Sequence, residues 1–238
     1  MAAMDEAAAP GGFRAHLEGL RFLAFGRAVP AALFALLGYR VLSNLLNRIA
    51  TLPHHATPLD ILAGPLPTAL YFLFCTIPVG IYLVRPRPQA RDGRLVARAA
   101  AFSGTTMLLV VGAFPSPALF TPPELVRGAA TPLTLVAFSL AVYGLLYLRR
   151  NLSIIPEARR LVMNGPYRVV RHPLYTAEII AATAVVISYP ALWSVVTLLP
   201  FMGVQLLRAR FEERLLARTF PQYRDYARRT WKVVPLVW

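Results

Sequence analysis

The stretch Asn164-Gly-Pro-Tyr-Arg-Val-Val-Arg-His-Pro-Leu-Tyr175 places polar, aromatic and backbone-restricting residues directly in front of a long apolar segment. Glycine permits unusual backbone angles, whereas proline fixes its own, and Pro173 is well placed as the first residue of a helix. The stretch therefore predicts a shaped polar loop that is held against the start of a helix.

The composition of the whole chain indicates a membrane protein. Hydrophobic residues make up 57% of the chain and charged residues 15%, whereas soluble domains have about 45–50% and about 25%. The 238 residues leave room for about six spanning helices. We therefore predict an all-α integral membrane protein that forms one domain, residues 1–238. The predicted spans are Ala28–Leu46, Ile61–Val84, Ala99–Leu119, Ala129–Leu148, Leu174–Ser188 and Ala191–Leu207.

The basic residues follow a positive-inside pattern. Most of the 25 lysines and arginines lie before the first predicted span or after the second, fourth and sixth, which leaves only Arg40, Arg48 and Arg127 for the other side. Basic connections lie in the cytosol, so we expect both termini to be cytosolic, in an inner or plasma membrane. The net charge is +14, but it is spread over short connections, so we expect no nucleic-acid partner.

The last two predicted spans are joined by only Tyr189-Pro190, which predicts a tight helical hairpin. The cytosolic ends of such a hairpin lie side by side. We therefore expect the loop that ends in His172 to lie next to Arg208, Glu212 and Glu213, with a cytosolic helical segment following at the C-terminus.

Arg208 and Glu212 are four residues apart and so share one face of a helix. They form either an exposed ion pair or a site for a ligand with a lipid end and a soluble end. Glu213 is turned away from Glu212 by about 100°, and we expect it to be solvated.

His172 either caps and packs a helix start or binds a ligand together with Tyr167 and Tyr175. The free amides at a helix start favour a carboxylate or phosphate at this point. Glu178 lies inside the fifth predicted span, where an ionised carboxylate is costly unless it faces the bundle. Its role is either a structural hydrogen bond or a part of the site.

Metal binding is poorly supported by the sequence. The other histidines are His16, His54 and His55, and the last two fall in a loop predicted to face the opposite side. No ligand set of the required number assembles from them. The single cysteine, Cys75, has no partner in the chain and is expected to be a packing residue. We expect no metal.

The C-terminal segment Phe220-Pro-Gln-Tyr-Arg-Asp-Tyr-Ala-Arg-Arg-Thr-Trp231 mixes aromatic residues with arginines. This composition suits the headgroup level of a membrane, and the segment is also long enough to fold back as a lid.

Several of these stretches resemble the isoprenylcysteine carboxyl methyltransferases and the related membrane phospholipid methyltransferases. The resemblance covers residues 150–234, and its core is the Arg-His-Pro-any-Tyr sequence that is followed by paired glutamates at the end of a hairpin. The matching stretches are Ser153-Ile-Ile-Pro-Glu157, Leu161-Val-Met-Asn-Gly-Pro-Tyr-Arg-Val-Val-Arg-His-Pro-Leu-Tyr175, Glu212-Glu213 and Phe220-Pro-Gln-Tyr-Arg-Asp-Tyr226.

The resemblance implies S-adenosyl-L-methionine as the cofactor, bound at the cytosolic side by residues 149–238. The first four spans (1–148) carry no motif, and we expect them to form the substrate side. The resemblance also implies that Arg208 and Glu212 are the catalytic residues, and that Arg208 and Arg229 bind the substrate. The sequence departs from the family's pattern at Asn151-Leu152 and at Trp231, and both departures concern the choice of substrate more than cofactor binding. The cofactor-binding residues that it implies are Arg160, Leu161, Val162, Tyr167, His172, Pro173, Leu174, Tyr175 and Glu212.

The function that we expect is methyl transfer at the cytosolic membrane face to a prenylated or otherwise lipidic acceptor, with an isoprenylcysteine-type carboxylate preferred. Such a transfer needs alignment and exclusion of water more than a covalent nucleophile. The acceptor is alternatively a phospholipid amine, for which His172 or Glu178 is a candidate base. A membrane reductase and a transporter or structural protein are further alternatives. The reductase would need a nicotinamide site, and a transporter would be expected to carry polar groups near mid-bilayer.

Overall fold

The fold is described by a computed structural model over residues 10–113 and 116–235, and it is mostly helical. Nine α-helices were found in these residues, with a π-helical segment between the first two and short 3-10 turns before the polar loop and inside it. The helices are α1 (Pro10–Arg21), α2 (Val29–Ala50), α3 (Pro58–Ala63), α4 (Pro65–Val84), α5 (Leu95–Ala113), α6 (Glu124–Leu148), α7 (Pro173–Ser188), α8 (Leu192–Thr219) and α9 (Tyr223–Arg228).

Helices occur at all six positions where the sequence predicts spans. Among the described residues, four helical stretches are long and apolar enough to cross a membrane. They contain α2, α4, α6 and α8, whereas α7 is apolar but has only 16 residues. The prediction of a mostly helical membrane protein is thus confirmed, whereas the count of six spans remains a prediction.

The bundle is packed through small side chains and exposes large apolar ones. Alanines such as Ala137, Ala141 and Ala177 are buried, while Phe102 and Leu199 lie on the surface, where they are 64% and 76% exposed. Small residues allow helix backbones to approach closely where no hydrophobic driving force acts between helices. This distribution is the one expected of a bundle surrounded by lipid.

The turn between α7 and α8 contains three residues, one more than predicted, because Ala191 is extended and precedes the helix. The turn is paired with the segment before α6, where the Leu119 amide donates to the Pro190 carbonyl at 3.0 Å. The third predicted span therefore ends earlier than Leu119. At the opposite end of the hairpin, α7 begins at Pro173 directly after the polar loop.

The polar loop is placed by two close approaches of glycine. Gly165 has a positive φ of 61°, and a Cβ there would lie 2.6 Å from the Tyr147 ring. A Cβ on Gly144 of α6 would lie 3.2 Å from Leu174 of α7. Since any larger residue would require the neighbours to move, these glycines fix how closely the loop and α7 approach α6.

Two short strands, absent from the all-helical prediction, tie the two halves of the chain together. β1 (Ala90–Arg91) pairs antiparallel with β2 (Glu157–Ala158). The Glu157 side chain is fully buried here and accepts from Ser153 at 2.6 Å. Its carboxylate is also paired with three arginines, and together these residues form what we call the Glu157 cluster: Glu157, Ser153, Arg85, Arg91 and Arg159.

Candidate functional site

A deep cleft runs from the polar loop into the helix bundle. It contains about 1130 Å³ of space that protein atoms do not fill, including its open mouth. Its apolar end is lined by membrane helices, with Phe34, Phe74 and Leu145 among the residues. Its polar end is lined by the loop, by the ends of α7 and α8 that adjoin the loop, and by the C-terminal segment. The cleft therefore joins a polar chamber to an apolar one.

The C-terminal segment is folded against the polar loop by backbone hydrogen bonds. The amides of Arg171 and His172 donate to the carbonyls of Trp231 and Lys232 at 2.8 and 3.1 Å. The Trp231 amide donates in return to the Val169 carbonyl at 3.0 Å. The segment thus closes one side of the polar chamber.

Side chains hold the same segment in place. The Thr176 hydroxyl donates to the Val233 carbonyl at 2.6 Å, and the Tyr226 hydroxyl donates to the Tyr167 carbonyl at 2.6 Å. Burial raises the pKa of Tyr226 above its ordinary value, so its hydroxyl stays protonated and able to donate near neutral pH.

The expectation that Glu213 is solvated is wrong. Its carboxylate accepts from Arg171 Nε at 2.8 Å and lies 3.0 Å from Lys232 Nζ and 3.4 Å from His172 Nε2. The offset of about 100° from Glu212 directs Glu213 toward the C-terminal segment that packs on α8. Glu213 therefore connects α8, the polar loop and the C-terminal segment, and the paired glutamates have separate tasks.

His172, Tyr175 and Arg208 are stacked in the wall of the polar chamber. The rings of His172 and Tyr175 are 5.3 Å apart and inclined by only 9°, and the Arg208 guanidinium carbon lies 4.7 Å from the centre of the Tyr175 ring. The Tyr175 hydroxyl donates to Glu212, which also lies 3.7 Å from His172 Nδ1. The stack holds Glu212 beside the loop.

Arg208 is buried and is not part of an exposed ion pair. It is 4% exposed, and its Nη1 donates to the Gln205 side-chain oxygen at 2.8 Å. The same nitrogen lies 3.7 Å from Glu178, which accepts from the Gln205 amide. Glu178, Gln205 and Arg208 therefore form one polar group at the junction of the polar and apolar ends.

All but one of the residues that the sequence predicts to be catalytic or to bind the cofactor or the substrate line the cleft. The exception is Arg229, which lies at the end of α9, is exposed and does not line the cleft; its substrate-binding role stays a prediction. The residues that line the cleft are Arg160, Leu161, Val162, Tyr167, His172, Pro173, Leu174, Tyr175, Arg208 and Glu212.

Sequence reasoning missed several residues of the site. Tyr82 and Thr105 line the cleft from α4 and α5, and Glu157 and Arg159 line it beside the strands. Glu157 lies within a stretch that matched the family, so its position near the site carried a signal. Tyr82 and Thr105 lie in apolar helices without a motif, where the sequence offers no comparable signal.

Several polar atoms around the cleft lack a protein partner. Within the part of the chain that the structure describes, Arg208 Nε, Arg159 Nη1 and the Tyr223 hydroxyl are buried without a hydrogen-bond partner, and all three residues line the cleft. Burial raises the pKa of Tyr223 and of Tyr167 above their ordinary values, so both phenols stay neutral donors. Unpaired buried donors are costly, and their convergence on one cleft is typical of a ligand site.

Comparison with known proteins shows what part of the chain is similar to. Residues 128–223 match the model of a family described as phospholipid methyltransferase. The chain is 33% identical over 79 residues to the nickel-cobalt-cadmium resistance protein NccN of Alcaligenes xylosoxydans xylosoxydans, covering 31% of this chain and 35% of that protein. It is 33% identical over 99 residues to the cobalt-zinc-cadmium resistance protein CzcN of Cupriavidus metallidurans, covering 41% and 45%.

The chain thus spans less than half of the length of these two curated relatives. The matched family segment contains α6, the polar loop, α7 and α8, and these elements form most of the polar chamber. Residues 128–223 are therefore similar to the phospholipid methyltransferase family, which is part of the membrane superfamily that also includes the isoprenylcysteine carboxyl methyltransferases.

Proposed function

We propose that this protein is an S-adenosylmethionine-dependent methyltransferase that acts at the cytosolic membrane face on a lipidic acceptor, with an isoprenylcysteine-type carboxylate as the preferred acceptor. The observation that carries the proposal is the continuity of the cleft, which connects a polar chamber with partnerless donors to an apolar chamber between membrane helices. A reaction between a water-soluble cofactor and a lipid acceptor needs a cleft in which a polar chamber and an apolar chamber are connected.

The polar chamber fits S-adenosylmethionine, whose sulfonium supplies an activated methyl group when it is bound. Glu212 offers a carboxylate for the cation or the amino group. The ring of Tyr167 offers a face for cation–π contact, whereas the ring of Tyr175 is already stacked with His172 and Arg208. The buried Tyr223 hydroxyl and Arg159 Nη1 offer donors to a carboxylate or ribose hydroxyl. Each of these groups lines the same cleft.

The acceptor is positioned by Arg208. Its Nε is buried without a partner among the described residues, and it lies where the polar end meets the apolar end. An acceptor carboxylate is already ionised at neutral pH, so it needs orientation and a dry surrounding but no base to remove a proton. The apolar residues around Phe34 and Leu145 exclude water from this point.

A phospholipid amine is the second candidate acceptor, and Glu178 favours it. The Glu178 side chain is 26% exposed and lines the cleft, so it is accessible to a bound acceptor. An amine must lose its proton before it can accept a methyl group, and a carboxylate held beside the acceptor can serve as the base.

The names of the two relatives refer to metal resistance, but we do not transfer a metal-binding role to this site. Glu213, the carboxylate that faces His172 Nε2, already lies against Arg171 and Lys232. Two fixed cations beside these ligands disfavour a third by electrostatic repulsion. Among the described residues, no group of three or more His, Cys, Asp or Glu is arranged to hold a metal ion.

Cofactor binding tests the first half of the proposal. The protein is purified in detergent, and the affinity for S-adenosylmethionine is measured for the wild type, Glu212→Gln, His172→Ala and the control Glu124→Gln, whose carboxylate is 93% exposed. We expect Glu212→Gln to weaken binding about 10-fold or more, since a hydrogen bond to a charged group contributes about 1.5–3 kcal/mol. Unchanged affinity in both site variants would contradict the assignment.

The acceptor is tested with labelled methyl groups. The purified protein is incubated with methyl-labelled S-adenosylmethionine and a membrane lipid extract, and the product is treated with base. A carboxylate acceptor gives a base-labile ester, whereas an amine acceptor gives a product that retains its label. Retained label would replace the carboxylate proposal by the amine, and binding of nicotinamide cofactor instead would favour a reductase.

A further inference from the structure

The lipid-facing surface of α8 runs without a break into a row of arginines. Leu192, Val196 and Leu199 are exposed on α8, and their spacing of three or four residues places them on one helix face. The same face continues through the exposed Gly203 to Arg210, about two turns further on, and to Arg214. An apolar stripe and a basic stripe are therefore consecutive parts of one face.

The basic part of this face borders a groove between α8 and α9. The groove is distinct from the cleft, because Tyr223 is the one residue that the two linings share among the described residues. It is lined by Arg210, Glu213, Arg214, Ala217, Tyr223, Arg224, Ala227 and Arg228.

The charge of the groove is strongly positive. The one carboxylate that lines it, Glu213, is already paired with Arg171 and Lys232, and Arg228 lies 3.6 Å from Asp225. Arg214 and Arg224 are exposed, and the residues from 10 to 113 and from 116 to 235 offer them no ion pair. Two arginines are thus available for an anion from outside the protein.

The groove also lies at the depth of phosphate groups. Residues 192–207 of α8 measure about 24 Å along the helix axis, close to the hydrocarbon thickness of about 30 Å. Arg210 follows about 4.5 Å later and Arg214 about 10 Å later, which places Arg210 at the edge of the hydrocarbon layer and Arg214 in the headgroup layer if α8 spans the membrane as predicted.

We propose that this groove binds the phosphate of an anionic phospholipid of the surrounding membrane, whose acyl chain lies along the exposed apolar stripe of α8. Guanidinium groups suit phosphate because they donate in a fixed fork. The lipid would rest against Glu213 and Tyr223, which also hold the C-terminal segment over the polar chamber. This binding site is separate from the acceptor site and does not depend on which acceptor is methylated.

The site is tested with pyrene-labelled phosphatidylglycerol in mixed detergent micelles, where energy transfer from the protein's tryptophans reports binding. Unlabelled phosphatidylglycerol, phosphatidylcholine and inorganic phosphate serve as competitors. The variant Arg214→Gln/Arg224→Gln is compared with Arg98→Gln/Arg150→Gln, which removes the same charge from exposed arginines outside the groove. Equal melting temperatures show that both variants are folded.

We expect the groove variant to weaken phosphatidylglycerol binding roughly fivefold for each arginine removed, and the control variant to bind like the wild type. Phosphatidylglycerol should compete better than phosphatidylcholine. An equal loss in both variants would reduce the effect to general surface charge and overturn the proposal. Full competition by phosphatidylcholine would also overturn it, because the lipid would then be held by its chains alone. Full competition by inorganic phosphate would overturn it as well, because the groove would then bind phosphate and not a lipid.

Discussion

The C-terminal half and the N-terminal half of this protein contribute to the same cleft in different ways. Residues 128–223 match a family model and supply charged and aromatic groups at fixed positions. The helices α2, α4 and α5 carry no motif, yet they line the apolar end through residues such as Phe34, Phe74 and Thr105. The C-terminal half thus contributes specific chemical groups to the cleft, whereas the N-terminal half contributes the shape of its apolar wall.

This difference has a physical origin. A carboxylate or guanidinium is useful only at one position and orientation, so its residue type is tightly restricted. An apolar wall needs only the right volume, and volume-conserving exchanges among apolar residues are tolerated. The charged and aromatic groups of the candidate site are therefore visible in the sequence, whereas the apolar surface that we propose selects the acceptor is not.

The largest effect is expected from Glu157→Gln, because the Glu157 cluster joins the two halves. Arg85 and Arg91 come from the link after α4, and Arg159 comes from the link before α7. Removing one partner of a buried ion pair costs about 3–5 kcal/mol, and we expect a loss of stability of this order in thermal unfolding. Glu124→Gln, an exposed carboxylate 3.6 Å from Arg127, is the control, and equal melting temperatures would contradict the prediction.

The difference in stability between the wild type and Glu157→Gln should depend on pH. Burial opposes ionisation of Glu157, but the hydrogen bond from Ser153 and the charge of Arg159 outweigh it and hold its pKa below the ordinary 4.5. A carboxyl group with a lowered pKa in the folded state stabilises the protein above its ordinary pKa, and this stabilisation is lost as the pH falls through the lowered value. The difference in melting temperature between wild type and Glu157→Gln should therefore shrink below about pH 4.5 and stay constant near neutrality.

The second effect tests the chemistry of the C-terminal half. Arg208→Ala removes the group that we place on the acceptor, and we expect turnover to fall about 100-fold while the affinity for S-adenosylmethionine is retained. Arg208→Lys keeps the charge without the fork and should lose less. If both substitutions weakened cofactor binding as much as turnover, Arg208 would belong to the cofactor wall instead.

The third effect shows how the N-terminal half shapes that chemistry. A Cβ on Gly104 of α5 would lie 2.6 Å from Arg208 Cδ and 2.9 Å from its Nη1, so Gly104→Ala must displace the guanidinium. We expect about tenfold more lipid extract to be needed for half-maximal methylation, with unchanged cofactor affinity. Gly80→Ala in α4 is the matched control, since a Cβ there meets nothing within 4 Å. A similar change in both variants would show that the close approach of Gly104 to Arg208 does not position the guanidinium.

The sequence predicts the helical fold well and its local joints less well. Apolar segments of membrane length and the distribution of arginines are strong signals, and helices occur at each predicted position. The strands at Ala90–Arg91 and Glu157–Ala158 were missed because two-residue strands leave no alternation to detect. Their pairing depends on tertiary contacts between distant segments.

The proximity of the candidate-site residues was predictable where one helix face or one motif carries them, whereas their roles stay predictions. His172, Tyr175 and Glu212 meet because the α7–α8 turn is short, which the sequence shows directly. The prediction that Glu213 is solvated was wrong for a physical reason. Helix geometry gives the direction of its side chain, but it does not show that the C-terminal segment returns to that side of α8. Such a return is set by many weak contacts, among them the bond from Thr176 to Val233.

The smallest effect concerns this returning segment. Tyr226→Phe removes the hydrogen bond to the Tyr167 carbonyl, which contributes about 1 kcal/mol, and leaves the contacts of Glu213 intact. We expect S-adenosylmethionine to dissociate about fivefold faster in a rapid-dilution assay, with Tyr39→Phe, whose side chain lies on the surface of α2, unchanged.

Because burial raises the pKa of Tyr226, its hydroxyl keeps its proton, and the ratio of the two dissociation rates should be constant from about pH 6 to about pH 9. A ratio that vanished within this range would mean that an ionising group elsewhere, and not the Tyr226 hydroxyl, holds the segment closed. A ratio near one at every pH would mean that Glu213 and the backbone bonds suffice, which would move control of cofactor release from the C-terminal segment to α8.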